Sequence, residues 1–421
     1  MAHHSSSRKI AIVGAGISGL TVAHLLHPRH DVTVFEAGDY AGGHTNTVRV
    51  DLPDETLDVD TGFIVFNDRN YPNFERLLAG LGVASQDSTM SFSVSAASED
   101  FEYAGTPRGL VAQPGNLTRP GYVRMIREYV RFNRDARLLL ESGDDSQSLG
   151  DWLAERRYSS AFVHKLIVPQ ASAVWSADPA QMWSFPARFL VTFFHQHGML
   201  ALTGRPQWRT VTGGSARYVQ ALTGPFAERI RLHTPIAAIE RHSDHVLVTP
   251  RGGDAERFDD VVLATHADQS LAMLADATDR ERDILGAIPY QPNEAVLHTD
   301  RGMLPRRRAT WSSWNFHLLD EPTGKSTVTY HMNTLQRLRS RRELCVTLNR
   351  TQAIDPGRII ATIPYAHPVF TPEGWKAQKR HGEISGAGRT HYCGAYWRWG
   401  FHEDGVVSAL RVAERFGAHP K

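Results

Sequence analysis

KIAIV, residues 9–13, is a short apolar run rich in β-branched side chains, and it predicts a buried parallel strand. A glycine turn follows, and ISGLTVAHLL after it predicts a helix. DVTVFEAG then predicts a second strand that completes a βαβ unit. From Tyr122, YVRMIREYVRFNRDARLLLE repeats apolar residues at helical spacing, which predicts a helix of about five turns. Past Arg209, TGGSARYVQALTGPF reads as a turn and a helix. The stretch from RIRLH to VVLATHA reads as several short strands joined by a Gly-Gly turn. A mixed region over 290–374 carries STVTYHM as a strand, together with Trp311 and Trp314. The end of the chain predicts a strand, a loop and a final helix, in which Val406, Val407, Leu410, Val412, Ala413 and Phe416 cover a broad face.

The first turn has chemistry of its own. Gly14, Gly16 and Gly19 have the spacing G-x-G-x-x-G. The first permits a tight turn, the second a close approach of backbone to phosphate, and the third the packing of helix on strand. The helix N-terminus then offers free N–H groups and a positive dipole end to an anion. Glu36 ends the next strand 20 residues beyond Gly16. An acid there accepts hydrogen bonds from a ribose and opposes a second phosphate on it. A dinucleotide fold follows from the two features together.

With 421 residues the chain exceeds the usual span of one hydrophobic core. Nucleotide-type segments alternate with unrelated ones, which predicts two interleaved domains. The net charge of +1 provides no field to recruit nucleic acid or an anionic membrane, and PRRRATW from Pro305 reads as a solvated loop. Cys345 and Cys393 are too few for a disulfide framework and fit a reducing compartment, from which the cytoplasm is expected. No run approaches about 18 consecutive apolar residues, so no transmembrane segment is expected. MAHHSSSRK at the start lacks an apolar stretch, resembles a shortened affinity tag or a disordered end, and is set aside from the fold.

Beyond Gly14, Gly16, Gly19 and Glu36 come a Gly42-Gly43 pair, VDTGF at 59–63, Gly213-Gly214, VVLATHA and a terminal CGA and GFHEDG. In this order the motifs resemble the glutathione-reductase-type flavoproteins, specifically the flavin-containing amine oxidase branch, over nearly the whole chain. More narrowly, DTGFIVFN, QWRTVTGGSARYV, WSSWNF, YHMNTLQ and GAYWRWGFHEDG are similar to a bacterial group described as NAD/FAD-binding oxidoreductases. Relatives of that group tend to be encoded beside cyclopropane-fatty-acid-synthase-like proteins. The resemblance implies an α/β fold: a glutathione-reductase-type FAD-binding domain from residues 8–85, 210–288 and 375–421, interleaved with an α+β substrate domain of mixed sheet and helices from 86–209 and 289–374. FAD is the implied cofactor, because several separated motifs along one extended ligand suit it better than a nicotinamide dinucleotide, which needs a single phosphate turn.

Carried over residue by residue, the resemblance sets Ser18 and the turn N–H groups against the pyrophosphate, and Glu36 with Ala37 against the adenosine ribose. Gly43 and His44 stand where related enzymes have a Gly-Arg pair, so an imidazole replaces the fixed fork and permanent charge of guanidinium. Thr61 and Gly62 are expected to line the flavin, Ile236 the adenine edge through its backbone, and Gly394, Asp404, Gly405 and Val406 the ribityl chain and pyrimidine ring. A helix starting near Gly405 would aim N–H groups at the flavin N1/O2 locus, where reduction places negative charge.

Other features have milder readings. His195 and His197 in HQH have no third ligand at helical or hairpin spacing, so no metal is expected. Glu403 and Asp404 are adjacent and point apart on a helix, which suits a cap with a flavin contact at Asp404 better than an acid/base pair. No G-x-S-x-G or Cys/His constellation suggests a hydrolase. Tyr396, Trp397, Trp399 and Phe401 read either as packing or as a wall beside the flavin.

In the amine oxidase branch two aromatic residues flank the substrate; Phe401 matches one and Tyr365 the other. Many amine oxidases place a lysine near the flavin N5, yet the six lysines of this chain leave PYQPNEAVLHTD, where it would be sought, without one. An aromatic, lysine-free wall suits an apolar, fatty-acyl-like substrate, with Trp314, Phe401 and Tyr396 as its contacts. His367 and Tyr365 are the catalytic candidates, His367 because an imidazole exchanges protons near neutral pH. The expected activity is FAD-dependent oxidation or desaturation by hydride transfer to flavin N5, with oxygen or another acceptor downstream. An amine oxidase, a flavin-dependent double-bond isomerase and a non-catalytic flavin and lipid binder remain the alternatives.

Overall fold

The computed structural model describes residues 7–419 apart from residue 202, so the tag-like opening lies, through residue 6, outside the described residues. Lys9–Val13 forms the expected strand and sits in the middle of a five-stranded parallel sheet. In spatial order the strands are Ile230–Arg231, Asp31–Phe35, Lys9–Val13, Asp260–Leu263 and Thr390–Tyr392. All four pairings are parallel. Both faces of this sheet are covered, which is why its strands read as continuous apolar runs.

The two-residue period of a strand assigns its side chains to the two covers. Ile10 and Ile12 join the cluster under helices Ile17–Leu26 and His402–Arg415, where Leu20 and Ala23 pack with Val406, Ala409 and Ala413. Ala11 and Val13 face the opposite way, with Phe35, Val261 and Leu263, toward the antiparallel sheet of Ile236–Arg241, Val246–Pro250 and Glu256–Phe258.

A seven-stranded mixed sheet forms the second body. Its spatial order is Ile359–Pro368, Tyr290–His298, Cys345–Leu348, Val328–His331, Trp314–His317, Phe92–Ala96 and Phe101–Ala104. One pairing, Trp314–His317 with Phe92–Ala96, is parallel, and the others are antiparallel. One face is buried under helices Pro120–Ser142, Leu149–Glu155, Val168–Trp175 and Ala187–Gln196. The helix read from Tyr122 is the first of these: Pro120 occupies its opening turn, and Gly143 closes it in a left-handed conformation with φ 72°. The other three helices are short and were not legible from periodicity.

The terminal helix begins at His402, three residues before the start expected near Gly405. Asp404 causes this, because its Oδ2 accepts the Phe401 N–H at 3.0 Å and caps the helix from within its first turn. Both cysteines are buried and unpaired. Among the described residues no helix is long and apolar enough to cross a membrane.

Candidate functional site

The glycine turn joins the central strand to the first helix. Gly14 has φ +103°, and a Cβ there would lie 2.8 Å from the Ala264 carbonyl oxygen. A Cβ on Gly19 would lie 2.0 Å from the Gly14 carbonyl oxygen, so any side chain would force helix and turn apart. Gly16 is the N-cap of the helix and provides no side-chain cap, which leaves the first N–H groups open to a ligand. Glu36 stands beside them. Its Oε2 accepts the Ala15 N–H at 2.8 Å and its Oε1 the Gly38 N–H at 2.8 Å. A carboxylate has lone pairs beyond those two for a ribose. Ala37 is exposed next to it, and the Thr234 N–H donates to the Glu36 carbonyl at 2.8 Å, bringing Ile236 to the same edge. Ser18 turns inward, donating to the Gly405 carbonyl at 3.1 Å and tying the first helix to the last.

From this turn the surface runs toward the mixed sheet. Gly43 follows at φ +59°, and its neighbour His44 lies face to face with Tyr365 at a centroid distance of 4.9 Å. His367 stands edge-on to His44 at 5.2 Å, and His266 lies 6.3 Å away. Thr61 and Tyr365 share a hydrogen bond at 3.0 Å. A Cβ on Gly62 would lie 2.2 Å from the His44 carbonyl oxygen, so the two loops touch through backbone. Thr61, Gly62, His44, Tyr365 and His367 thus meet where the two bodies join.

Every group here is neutral. Burial lowers His44 and His266 to about 4 and His367 to about 3, while burial raises the Tyr365 phenol. The Asn293 amide sets the His367 tautomer: its Nδ2 lies 2.9 Å from His367 Nδ1 and also donates to the Ser176 carbonyl, while its Oδ1 accepts from Asn349. Nδ1 is therefore the acceptor and Nε2 carries the proton. With Nδ1 accepting from Asn293, His367 presents Nε2–H as a hydrogen-bond donor, and burial favours its neutral form.

Phe401 lies at the rim, stacked on Phe193 at 5.1 Å and 6.1 Å from His197, whose Nδ1 is 3.0 Å from the Phe193 carbonyl oxygen. Asp404 is raised to about 7 by burial, with Arg398 3.5 Å away. Val406 is buried behind it, and the Gly394 N–H donates to Ser408 Oγ at 3.0 Å. Trp314 shares the helix-covered sheet face with Tyr365 but lies four strands across, about 19 Å at the usual strand spacing, and in register with Ala361 rather than with Tyr365. Tyr396 stands apart, in the core between the parallel sheet and its antiparallel cover, with its hydroxyl unpartnered among the described residues.

Some functional neighbours carried no sequence signal. Asp60, just before Thr61, is fully buried and accepts from Thr47, Ser215 and Gln336. His402 stacks on Phe63 at 3.5 Å and hydrogen-bonds Thr45 and Tyr218. Asn293 lies in the strand that lacks a lysine, and it reaches His367 only through the pairing of that strand with Ile359–Pro368, a relationship no local sequence pattern carries.

A glycine turn that excludes side chains, an uncapped helix N-terminus and a carboxylate beside them fit a dinucleotide; the buried, unpartnered Nε2 of His44 and the neutral aromatic end suit its flavin half. The comparisons agree. A family model described as flavin containing amine oxidoreductase matches residues 17–334. AofH of Mycobacterium tuberculosis, a flavin-containing monoamine oxidase by name, is 26% identical over 264 residues, covering 59% of this chain and 54% of its own. The chain thus spans about half the length of that curated relative. Among solved structures, cyclohexylamine oxidase from Brevibacterium oxydans superposes with a TM-score of 0.69 at 16% identity, covering 98% of this chain and 100% of that one. A CLA-producing fatty acid isomerase from P. acnes superposes with a TM-score of 0.65 at 16% identity, covering 98% and 99%. Both likenesses are of fold. The chain belongs to the flavin containing amine oxidoreductases, a family of FAD-dependent oxidoreductases, and FAD is its cofactor.

Proposed function

We propose that the protein oxidises or desaturates an apolar, fatty-acyl-like substrate held between the mixed sheet and its helical cover. One observation supports the reading: where the strands Tyr290–His298 and Ile359–Pro368 meet the Thr61-Gly62 turn, they present Gln291, Asn293, Tyr365 and His367 and no lysine. A hydrocarbon chain gains from such a wall, whereas a charged ammonium would lose its hydration there. FAD supplies the acceptor for the hydride equivalent when bound. Gly14, Gly16, Gly19 and Glu36 bind the nucleotide end; Gly43, His44, Thr61, Gly62, Gly394, Asp404, Gly405 and Val406 line the remainder, with Ser18 bracing the helix pair. Tyr365 and Phe401 flank the substrate and exclude water from it. The Nε2–H of His367 donates to a polar substrate group, held in place by Asn293. Trp314 contacts the far end of a long chain, and the cytoplasm is its proposed location.

The fatty acid isomerase among the fold neighbours favours an isomerase as the second reading, because it shows an apolar acyl substrate accommodated on this architecture. Anaerobic mixing of the holoprotein with a fatty-acyl panel separates the readings. Lasting bleaching of the flavin is the expected result. Product without lasting bleaching would replace oxidation by isomerisation, and binding without either would make the protein a carrier.

A further inference from the structure

Gln291 and His367 stand directly opposite each other where strands Tyr290–His298 and Ile359–Pro368 pair. Their side chains therefore leave the sheet on the same face, with Cβ atoms about 5 Å apart at the usual spacing. The backbone around them fixes both as hydrogen-bond donors. Gln291 Oε1 accepts the Asp178 N–H at 3.2 Å, and because an N–H only donates, the amide cannot be turned the other way. Its Nε2 is left buried with no partner among the described residues, on a residue only 8% exposed.

A relay of two asparagines fixes His367. The Glu294 N–H donates to Asn349 Oδ1 at 3.0 Å, which turns Asn349 Nδ2 toward the Ser326 carbonyl and Asn293 Oδ1, each at 2.8 Å. Asn293 in turn directs its Nδ2 to the Ser176 carbonyl at 3.1 Å and to His367 Nδ1 at 2.9 Å. Nδ1 accepts, so the proton sits on Nε2. The turn from Ser176 to Asp178, which follows helix Val168–Trp175, anchors both the Gln291 and the Asn293 amide. Tyr365, two residues before His367 on the same face, bonds Thr61 and places the donor pair beside the join of the two bodies. A buried donor left unpaired is costly, and an acceptor brought by a ligand removes that cost.

We propose that Gln291 Nε2 and the Nε2–H of His367 together bind the acceptor oxygen of an acyl head group, a carboxylate or an ester-type carbonyl, and so hold the hydrocarbon against Tyr365. The inference rests on the apolar acyl reading and deepens it by assigning the residues that recognise the head group. A carboxylate or carbonyl oxygen accepts from two donors at once, whereas an ammonium brings only donors of its own to a pair of donors.

Equilibrium dialysis of the FAD-loaded protein, with its flavin chemically reduced beforehand so that no ligand is turned over, compares dodecanoate, methyl dodecanoate and dodecylamine. Dodecanoate or its methyl ester should bind more tightly than the amine, and the tighter of the two identifies the head group as carboxylate or ester carbonyl. Gln291→Leu should weaken that ligand by about tenfold and leave the amine unchanged. Gln291→Glu keeps an acceptor for the Asp178 N–H but replaces the donor by an anion, and it should reverse the preference in favour of the amine. Equal loss of all three ligands in both variants, or no change in either, would overturn the proposal and leave the acyl reading standing. A preference of the unaltered chain for the amine, or binding of none of the three, would reject the acyl reading and the inference with it.

Discussion

Gln336 holds Asp60 from two sides, its Nε2 donating to Oδ2 at 2.9 Å and its Oε1 accepting the Asp60 N–H at 2.9 Å. The two residues are 276 positions apart, one before the Thr61-Gly62 turn and the other after strand Val328–His331. Burial raises Asp60 to about 6, against the pull of Thr47 and Ser215. Gln336→Ala leaves a buried carboxylate and a buried N–H short of partners, for a loss of about 1 to 3 kcal/mol. Urea denaturation should show this loss, and because Thr61 bonds Tyr365, cofactor retention should weaken in the same variant.

Glu403 is a structural acid. Its carboxylate accepts the N–H groups of Asn73 and Phe74 and the Asn73 side-chain amide, and so caps the helix Pro72–Gly80. Glu403→Ala should cost about 1.5 to 3 kcal/mol by denaturation, the usual range for hydrogen bonds to a charged group. Asp404→Ala acts differently, by releasing the Phe401 N–H and loosening the start of the last helix.

These two carboxylates show how far the sequence could be read. Adjacency on a helix was enough to predict that they diverge, but Glu403 finds its partner 330 residues earlier, and no local pattern encodes that. The glycine turn, Glu36 and the terminal helix were legible because their chemistry lies within one βαβ unit or one helical face. The cluster of His44, His266 and His367 was not, since it forms only once the Tyr290–His298 and Ile359–Pro368 strands pair. Tyr396 illustrates the converse: neighbours in sequence at 396–401 part company in space, because Tyr396 turns back over Gly394, whose Cβ would lie 2.3 Å from its ring, while Phe401 continues to the helical cover.

Acid should unfold the cofactor-free protein early. His44, His197, His266, His298, His317, His367 and His402 are all depressed by burial. A depressed folded pKa means that the unfolded chain binds more protons, so stability is full above about 6.5 and is lost as pH falls toward 4. Asp60 and Asp404, both raised, work in the opposite sense and lose their contribution as pH rises through about 6 and about 7, but the histidines outnumber them. Thermal midpoints measured across this range should fall steadily on the acid side.

Trp314 gives a test of substrate length. It lies on the same sheet face as Tyr365, about 19 Å across the strands and a further four residues along them. Trp314→Ala should raise KM for long acyl chains and leave short ones unchanged, with kcat preserved in both. Steady-state rates over a chain-length series decide this.

We propose that a lysine-free, aromatic wall selects an apolar acyl substrate. It is tested most directly by a matched pair, a fatty acid and the primary amine of the same chain length, each mixed anaerobically with the FAD-loaded protein. Because the hydrocarbon is common to both, only the head group differs. The expected result is flavin absorbance that bleaches with the fatty acid and stays unchanged with the amine; rapid bleaching by the amine alone would contradict an apolar acyl substrate.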